Sequence, residues 1–499
     1  MKNAVKKQGA ARYALVAALV MGLTGCGGGD GNSAPPTGGG GVPTPAPTPS
    51  PTPSGLIDIV FSGSSTQGTF SLRGADSTRN GFRLLSEGFA AGADVRDVKV
   101  SPNSRQVAFI AKDRSAATFA LYVVPIEGGT PIKVSQDSQR DVSSFDWAPD
   151  SQRLVYAGNF NQVNPVEAEE IYVVKPDGSG RARISGSLGN PPSVSITNPT
   201  VSPDGRFVLT QTFGASAAGV ESTPNGYNFY AIDGSSGAIL QREASGQVRN
   251  GKWSSDSSKV CFAVSPNGTD FRLSYRNVPN SGQFDFLITE NSDLNDTCAW
   301  DSTGNVVAYI ERNNGLFSGT LRTRNLTNGT VRTLTEMART PQEIFDIRFN
   351  PANDGLIAFL GKIDTPNNRH LFIALTDTDL PRRVSPSLQG GKNVIDYAWS
   401  PDGKWIAYLA DTIDNGLIEL IRVRVSDLSP VIFEIPGYDV KSLHWAPDSS
   451  RLVFSAGVDV AGSPATRLYS TPSGSNDLSL IVESGLIAIG AIDVASPNR

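Results

Sequence analysis

One pattern recurs along most of this chain. Trp147-Ala148-Pro149-Asp150, Trp399-Ser400-Pro401-Asp402-Gly403 and Trp445-Ala446-Pro447-Asp448 are each followed by a short apolar run, Leu154-Val155-Tyr156, Ile406-Ala407-Tyr408 and Leu452-Val453-Phe454. Weaker copies place Val100, Val201, Trp253, Trp300 and Phe349 in the same register. Ala495 makes a ninth, and the spacings are 47, 54, 52, 47, 49, 50, 46 and 50 residues. Five of the six tryptophans fall on this one column. A period held over nine copies restricts the chain to like units, each burying its apolar faces against its neighbours.

Each unit reads as four short strands, A to D. Strand A ends at the Trp column. Ser/Ala-Pro-Asp-Gly/Ser then makes a tight turn, because Pro presets φ and Asp or Gly tolerates the turn conformation. Strand B is of the Ile-Ala-Tyr type, and strand C appears as Leu121-Tyr122-Val123-Val124 or Ile171-Tyr172-Val173-Val174. A Gly-rich turn such as Pro176-Asp177-Gly178-Ser179-Gly180 leads to D. Four-stranded units of about 45 residues are the signature of propeller blades. Composition agrees, since 51 Gly and 33 Pro in 499 residues leave little scope for long helices. Ile59-Val60-Phe61 is a strand B with no A before it, and Gly490 to Pro497 ends in a strand A with no B after it. Pairing them completes one blade from both termini and removes two open edges. The expected fold is therefore all-β, a single large propeller of nine blades closed by N- and C-terminal strands. Eight blades with an irregular terminal segment is the alternative.

Residues 1–25 carry Lys2, Lys6, Lys7 and Arg12, then an apolar run from Tyr13 to Leu23. That run is too short for a permanent span, which needs about 20 residues, and reads as a signal peptide. Leu23-Thr24-Gly25-Cys26 resembles the lipobox of bacterial lipoproteins. The resemblance implies cleavage before Cys26, acylation of that residue, and, with Gly27 where the inner-membrane retention signal has Asp, an outer-membrane anchor. Residues 26–55 are a Gly-, Pro- and Thr-rich stalk, extended at roughly 3.1 Å per residue where polyproline-like. The propeller is expected over 56–499, facing the periplasm or the exterior.

Within that body the Trp-Ser-Pro-Asp-Gly turn, the Ile-Ala-Tyr strand and Ile171-Tyr172-Val173-Val174-Lys175-Pro176-Asp177-Gly178 resemble the repeat of TolB-like (WD40-like) β-propellers. TolB itself carries an α/β domain and six blades, so its role in the Tol–Pal system does not carry over. The propellers of prolyl oligopeptidases are also similar, but the few hundred residues of their hydrolase domain are expected to be lacking here.

The functional reading rests largely on scarcity. There are two histidines and three cysteines, and the formal net charge is −5, or 39 − 48 = −9 without residues 1–25. An acidic body disfavours nucleic acid as partner. No Gly-x-Ser-x-Gly elbow appears. His370, placed in a B–C connection, and His444 read as structural or solvated. Asp411, Asp414 and Asn415 lack the full ligand spacing of a calcium loop and read as loop solvation. No metal or other cofactor is expected. Cys261 and Cys298 fall on strands of adjacent units, where an oxidising compartment permits a disulfide and two buried thiols are the alternative.

Three residues before the Trp column lie Asp97, Ser144, Asn198, Asn250, Thr297, Asp346, Asp396 and Ser442. Strand A is innermost in a blade, so this polar column rings the axial channel, either holding a ligand or, as favoured here, hydrogen-bonding neighbouring blade turns. The connections 159–170, 213–227 and 458–466 are long and irregular, and Phe160, Phe213, Tyr227 and Phe229 are candidate anchors on a recognition face. The function expected is that of a monomeric, lipid-anchored scaffold binding envelope proteins or cell-wall and surface glycans. A propeller-type glycan hydrolase or lyase using carboxylates at the channel mouth is the alternative, and a purely structural envelope protein a third.

Overall fold

The computed structural model describes residues 56–496 apart from 67–68, 88, 90–92, 114–115, 137–140, 159–168, 186–193, 217–218, 235–236, 240–246, 266–270, 279–285, 290–297, 313–318, 336–342, 353–354, 366, 377–380, 389, 414–415, 459–463, 484–485 and 487. Cys26, the stalk, Phe160 and Thr297 lie outside the described residues.

The strands form nine four-stranded antiparallel sheets, each in the simple order A-B-C-D. Blade 1 runs from strand A at Asp94–Val100 to strand D at Ile132–Lys133, and blade 2 from Val142–Trp147 to Ala182–Arg183. Blade 3 runs from Val194–Val201 to Gly237–Ile239, blade 4 from Gln247–Trp253 to Phe286–Thr289, and blade 5 from Cys298–Trp300 to Val331–Thr333. Blades 6, 7 and 8 start at Glu343–Phe349, Asp396–Trp399 and Tyr438–Trp445. Blade 9 is composite. Its strand A, Ala488–Val494, pairs antiparallel with strand B at Ile59–Thr66, which leads to Thr69–Ala75 and Arg83–Leu84. The ring is thus a nine-bladed β-propeller closed by its two ends.

The register of blade 9 corrects one detail of the sequence reading. In the regular turns the residue after the column donates its N–H to the carbonyl of the residue preceding strand B or opening it, as Ser101 does to Gln106 and Ala148 to Arg153. In blade 9 that donor is Ala495, to Asp58. The column residue is therefore Val494, not Ala495.

Strands B and C have both faces covered, which explains their unbroken apolar runs. Leu154–Gly158 and Glu170–Val174 are buried at every position. The core consists of nine clusters among the described residues, one in each interface between neighbouring blades. Val155, Ala157 and Ile171 of blade 2 meet Ile196, Val208 and Tyr230 of blade 3, and Ile59 and Phe61 of blade 9 meet Val453 and Leu468 of blade 8.

Apolar faces alone leave neighbouring sheets free to slide, and the Trp column removes that freedom. Each of its five tryptophans donates the indole N–H to a backbone carbonyl of the preceding blade: Trp147 to Lys99 at 3.1 Å, Trp253 to Thr200 at 3.2 Å, Trp300 to Lys252 at 3.0 Å, Trp399 to Arg348 at 3.1 Å and Trp445 to Ala398 at 3.3 Å. The acceptor is always the residue one before the preceding column position. Where the column holds Val100 or Val201 an aspartate takes over, and the valine N–H donates to Asp493 at 2.7 Å or to Asp146 at 3.1 Å.

The turns add a second tie. Ser104, Ser151, Ser257 and Ser449 occupy the left-handed region, at φ between 58° and 61°, where Gly205, Gly304 and Gly403 stand in other blades. Glycine is the undemanding choice there. The serines compensate because each hydroxyl accepts a backbone N–H from the preceding blade, from Ser496, Asn103, Asp204 and Asp402 respectively, at 2.8 to 3.0 Å.

Trp147→Phe keeps the ring but strands the Lys99 carbonyl. Stability should fall by about 1 to 3 kcal/mol, the cost of an unmade buried hydrogen bond, read as a lower urea midpoint at unchanged slope.

Candidate functional site

Strand A stands at one edge of every sheet, the innermost place in a propeller, and among the described residues two tiers of its positions lie beside the column. The tier three before the column sits at an irregularity. The A–B ladder slips between Val95 and Asp97, Val142 and Ser144, Thr197 and Thr200, Arg249 and Lys252, Ile344 and Ile347, and Val440 and Ser442. A bulge bends the strand and re-aims the side chain beside it, which explains why small polar residues recur at this point.

These residues make mostly local bonds rather than the inter-blade turn contacts expected. Asp97 accepts the N–H of Val98 at 2.9 Å and Asp396 that of Tyr397 at 2.8 Å. Asn198, at φ 52°, donates to Gln211 at 2.8 Å, and Ser442 shares a hydrogen bond with Ser455 at 2.6 Å. The Ser144 hydroxyl is buried without a partner. Asn250 belongs to strand A of blade 4.

The second tier, directly before the column, was not singled out from the sequence. Around the ring it reads Lys99, Asp146, Thr200, Lys252, Ala299, Arg348, Ala398, His444 and Asp493. No motif marks it, because the residue types differ from blade to blade; its only signal is its position beside the tryptophans.

The two tiers meet at blades 6 and 7. Arg348 Nη2 lies 2.6 Å from Asp346 and 3.1 Å from Asp396, Nη1 donates to the Tyr397 carbonyl, and the guanidinium stacks 4.4 Å from the centre of the Tyr397 ring. Burial opposes the charge on Arg348, but Asp346, Tyr397 and Asp396 outweigh it and hold the guanidinium above its ordinary value. Tyr397 is wholly buried and donates its hydroxyl to the Ala358 carbonyl at 2.9 Å; burial, then Asp346, keeps it un-ionised. The ammonium of nearby Lys252 is pulled down, first by desolvation and then by the charge of Arg348, against the opposing pull of Asp346. Arg369, also lowered by burial, donates to the Val394 carbonyl at 2.8 Å and lies over Phe345. This sector carries three long cations, Lys252, Arg348 and Arg369, around Asp346 and Asp396.

The sector at blades 9, 1 and 2 is acidic. Asp493 Oδ2 and Oδ1 accept the N–H groups of Val100 at 2.7 Å and Val494 at 2.9 Å, while burial pushes its carboxyl up to about 6. Lys99 bridges to Asp146 at 3.2 Å and donates to the Phe145 carbonyl.

The other candidates separate. Tyr227 and Phe229 are buried between blades 3 and 4, Tyr227 against Phe262 and Phe229 edge-on to Trp253. They are core residues and not anchors on a recognition face. The segment 213–227 is largely a hairpin of Phe207–Ser216 and Gly219–Ala231 rather than a loop, and Phe213 is half-buried on it. His370 opens strand C of blade 6 instead of lying in a connection. It is fully buried, its Nδ1 is 3.1 Å from Ser385 Oγ, and burial lowers its pKa. Cys261 and Cys298 form a disulfide with Cα atoms 6.7 Å apart, tying strand B of blade 4 to strand A of blade 5 within their shared core.

No protein-family model matches the chain, and no curated protein matches it significantly. Among solved structures, one from a study of two prolyl endopeptidases is 13% identical with a TM-score of 0.47, covering 71% of this chain and 50% of that one. A Mycobacterium tuberculosis puromycin-hydrolysing peptidase is 12% identical with a TM-score of 0.44, over 79% and 53%. Porphyromonas gingivalis dipeptidyl peptidase 4 is 11% identical with a TM-score of 0.46, over 79% and 54%. The chain spans about half the length of each.

Reducing the disulfide, or replacing both cysteines by serine, should lower stability by roughly 2 to 4 kcal/mol, measured by denaturant titration with and without reductant. Asp493 yields a pH prediction. Its folded value of about 6 exceeds the ordinary 3.8, so the folded state holds the extra proton. The stability it contributes is present below the unfolded value and lost as pH rises from about 4 to about 6, with a slope up to about 1.4 kcal/mol per pH unit. In urea titrations across that window, Asp493→Asn should lack this component of the decline.

Proposed function

We propose that this chain is a lipid-anchored β-propeller of the bacterial cell envelope that binds other envelope proteins or surface glycans and catalyses no reaction on them. The observation that carries the reading is the state of the channel carboxylates. Glycosidase work uses two carboxylates about 5 to 9.5 Å apart, one of them free to donate a proton. Asp346 and Asp396 are instead both bound to Arg348, at 2.6 and 3.1 Å. Ion-paired side chains present a fixed pattern of charge. With Lys252, Arg348 and Arg369 outnumbering Asp346 and Asp396 on one side, and Asp97, Asp146 and Asp493 outnumbering Lys99 on the other, that pattern is two-sided, which favours recognition of a partner with complementary charge.

The anchor rests on Leu23-Thr24-Gly25-Cys26 and the Pro-rich stalk behind it. Tethering through acyl chains, each buried CH₂ contributing about 0.8 kcal/mol, suits a module that acts beside a membrane. TolB-like repeats in an envelope lipoprotein are consistent with that setting.

The test is site-specific photocrosslinking in intact cells. A photoreactive residue at position 252 should give a discrete adduct that a probe at exposed Leu375, on the outer part of blade 6, does not. Equal adducts from both positions, or none from 252, would overturn the channel as the recognition surface. Turnover of a cell-wall glycan that Asp346→Asn abolishes would replace the binding reading with the enzymatic one.

A further inference from the structure

We propose that blade 7 holds a calcium ion between Asp411 and Glu419, at the connection from its strand B to its strand C. Strand B, Trp405–Ala410, ends directly before Asp411, and strand C, Glu419–Arg424, opens on Glu419. By spacing alone Asp411 reads as a solvated loop residue. In the structure it is 6% exposed and Glu419 1%.

Each carboxylate uses one oxygen and leaves the other without a partner. Asp411 Oδ2 meets Lys392 Nζ at 2.6 Å and accepts the Gly416 N–H at 3.1 Å, while Asp411 Oδ1 is buried and unpaired. Glu419 Oε2 accepts the N–H and hydroxyl of Thr412 at 2.7 and 3.1 Å, while Glu419 Oε1 is buried and unpaired. A third polar atom points independently to an occupant. Tyr408 is wholly buried with its hydroxyl unpaired. It stands two residues before Ala410, which pairs with Glu419, so Tyr408 and Glu419 share a face.

The repeat supplies an internal control. Glu170 opens strand C of blade 2 as Glu419 does in blade 7, and Tyr156 matches Tyr408. There Arg183 pairs with Glu170 Oε1 at 2.7 Å and the Tyr172 hydroxyl donates to Oε2 at 2.7 Å. Tyr172 and Arg183 are partners across strands C and D, and the corresponding partners in blade 7 are Ile421 and Ile432. Blade 7 keeps the carboxylate and has lost its cation. A buried water would satisfy the hydrogen bonds but leave two carboxylates against one ammonium, and an uncompensated buried charge is costly. The donors are all oxygen, which selects a hard cation. Calcium accepts six to eight oxygen ligands in adaptable geometry, including waters and loop carbonyls, where magnesium demands a near-ideal octahedron.

The experiment uses the folded protein stripped with chelator, followed by calorimetric and thermal titration with CaCl₂, and MgCl₂ as control. One calcium per chain should bind, with half-saturation on the order of 10⁻⁴ to 10⁻³ M, as for extracellular modules, and the unfolding temperature should rise with calcium. Glu419→Gln should weaken binding at least about tenfold. Ile432→Arg rebuilds the blade 2 ion pair, so it should remove the calcium response while the protein stays folded. Absence of binding heat and of a thermal shift at 10 mM calcium, taken here as about ten times the upper expected value, overturns the proposal. So does a response that Ile432→Arg leaves intact, which would place calcium elsewhere.

Discussion

An indole N–H donated to the backbone of the preceding blade is the interaction on which this ring depends. Nine sheets packed face to face through aliphatic side chains have strong cohesion and weak direction, because apolar contact is nearly indifferent to a shift of one sheet along another. The tryptophan is large enough to fill the blade interface and carries one polar atom that must find an acceptor when buried. Since that acceptor is always the carbonyl before the neighbouring column position, the same bond that satisfies the indole fixes the stagger of the blades. Asp146 and Asp493 reach the same result by the opposite route, with the carboxylate on the preceding blade and the N–H on the valine that replaces tryptophan.

The architecture was legible because the fold writes the same local problem nine times. A strand that must end, turn through Pro-Asp and return selects the same residue types at each copy, and the two half-blades at the ends complemented each other. The off-by-one at Ala495 arose where that logic is imitated: Ser496-Pro497-Asn498 resembles Ser101-Pro102-Asn103, yet the turn begins one residue earlier, at Ala495. The misread segment of blade 3 has a similar cause. Gly214, Ala215, Ser216, Ala217, Ala218 and Gly219 look like a loop by composition, whereas pairing between Phe207–Ser216 and Gly219–Ala231 extends the sheet and draws Tyr227 inward.

The channel was legible only in part. The polar column before the tryptophans showed itself as a recurring residue class, but the bulges beneath it depend on ladder register and leave no residue signature. The inner charged tier is invisible for a different reason. Lys99, Lys252 and Arg348 serve first through their carbonyls, which accept the indole N–H of the next tryptophan, a duty any residue can perform. That duty leaves the residue type open, so the side chain differs from blade to blade: Lys99 and Arg348 reach into the next blade, while Asp146 and Asp493 hold a valine N–H. That division of labour lets a highly repetitive frame present an unrepeated surface.

The composite blade sets an order of events. Strand Ile59–Thr66 is made early, and its inner neighbour, Ala488–Val494, follows after about 420 residues. At about 5 to 20 residues per second, the inner edge of that strand waits on the order of 20 to 80 s for its partner. Through that interval the nascent chain is an open arc with a vacant hydrogen-bonding edge, the state most prone to pairing with another chain. A ring fastened by its own two ends therefore exchanges a permanent edge in the finished molecule for a temporary one during synthesis, and any factor that shields nascent strands has its natural point of action there.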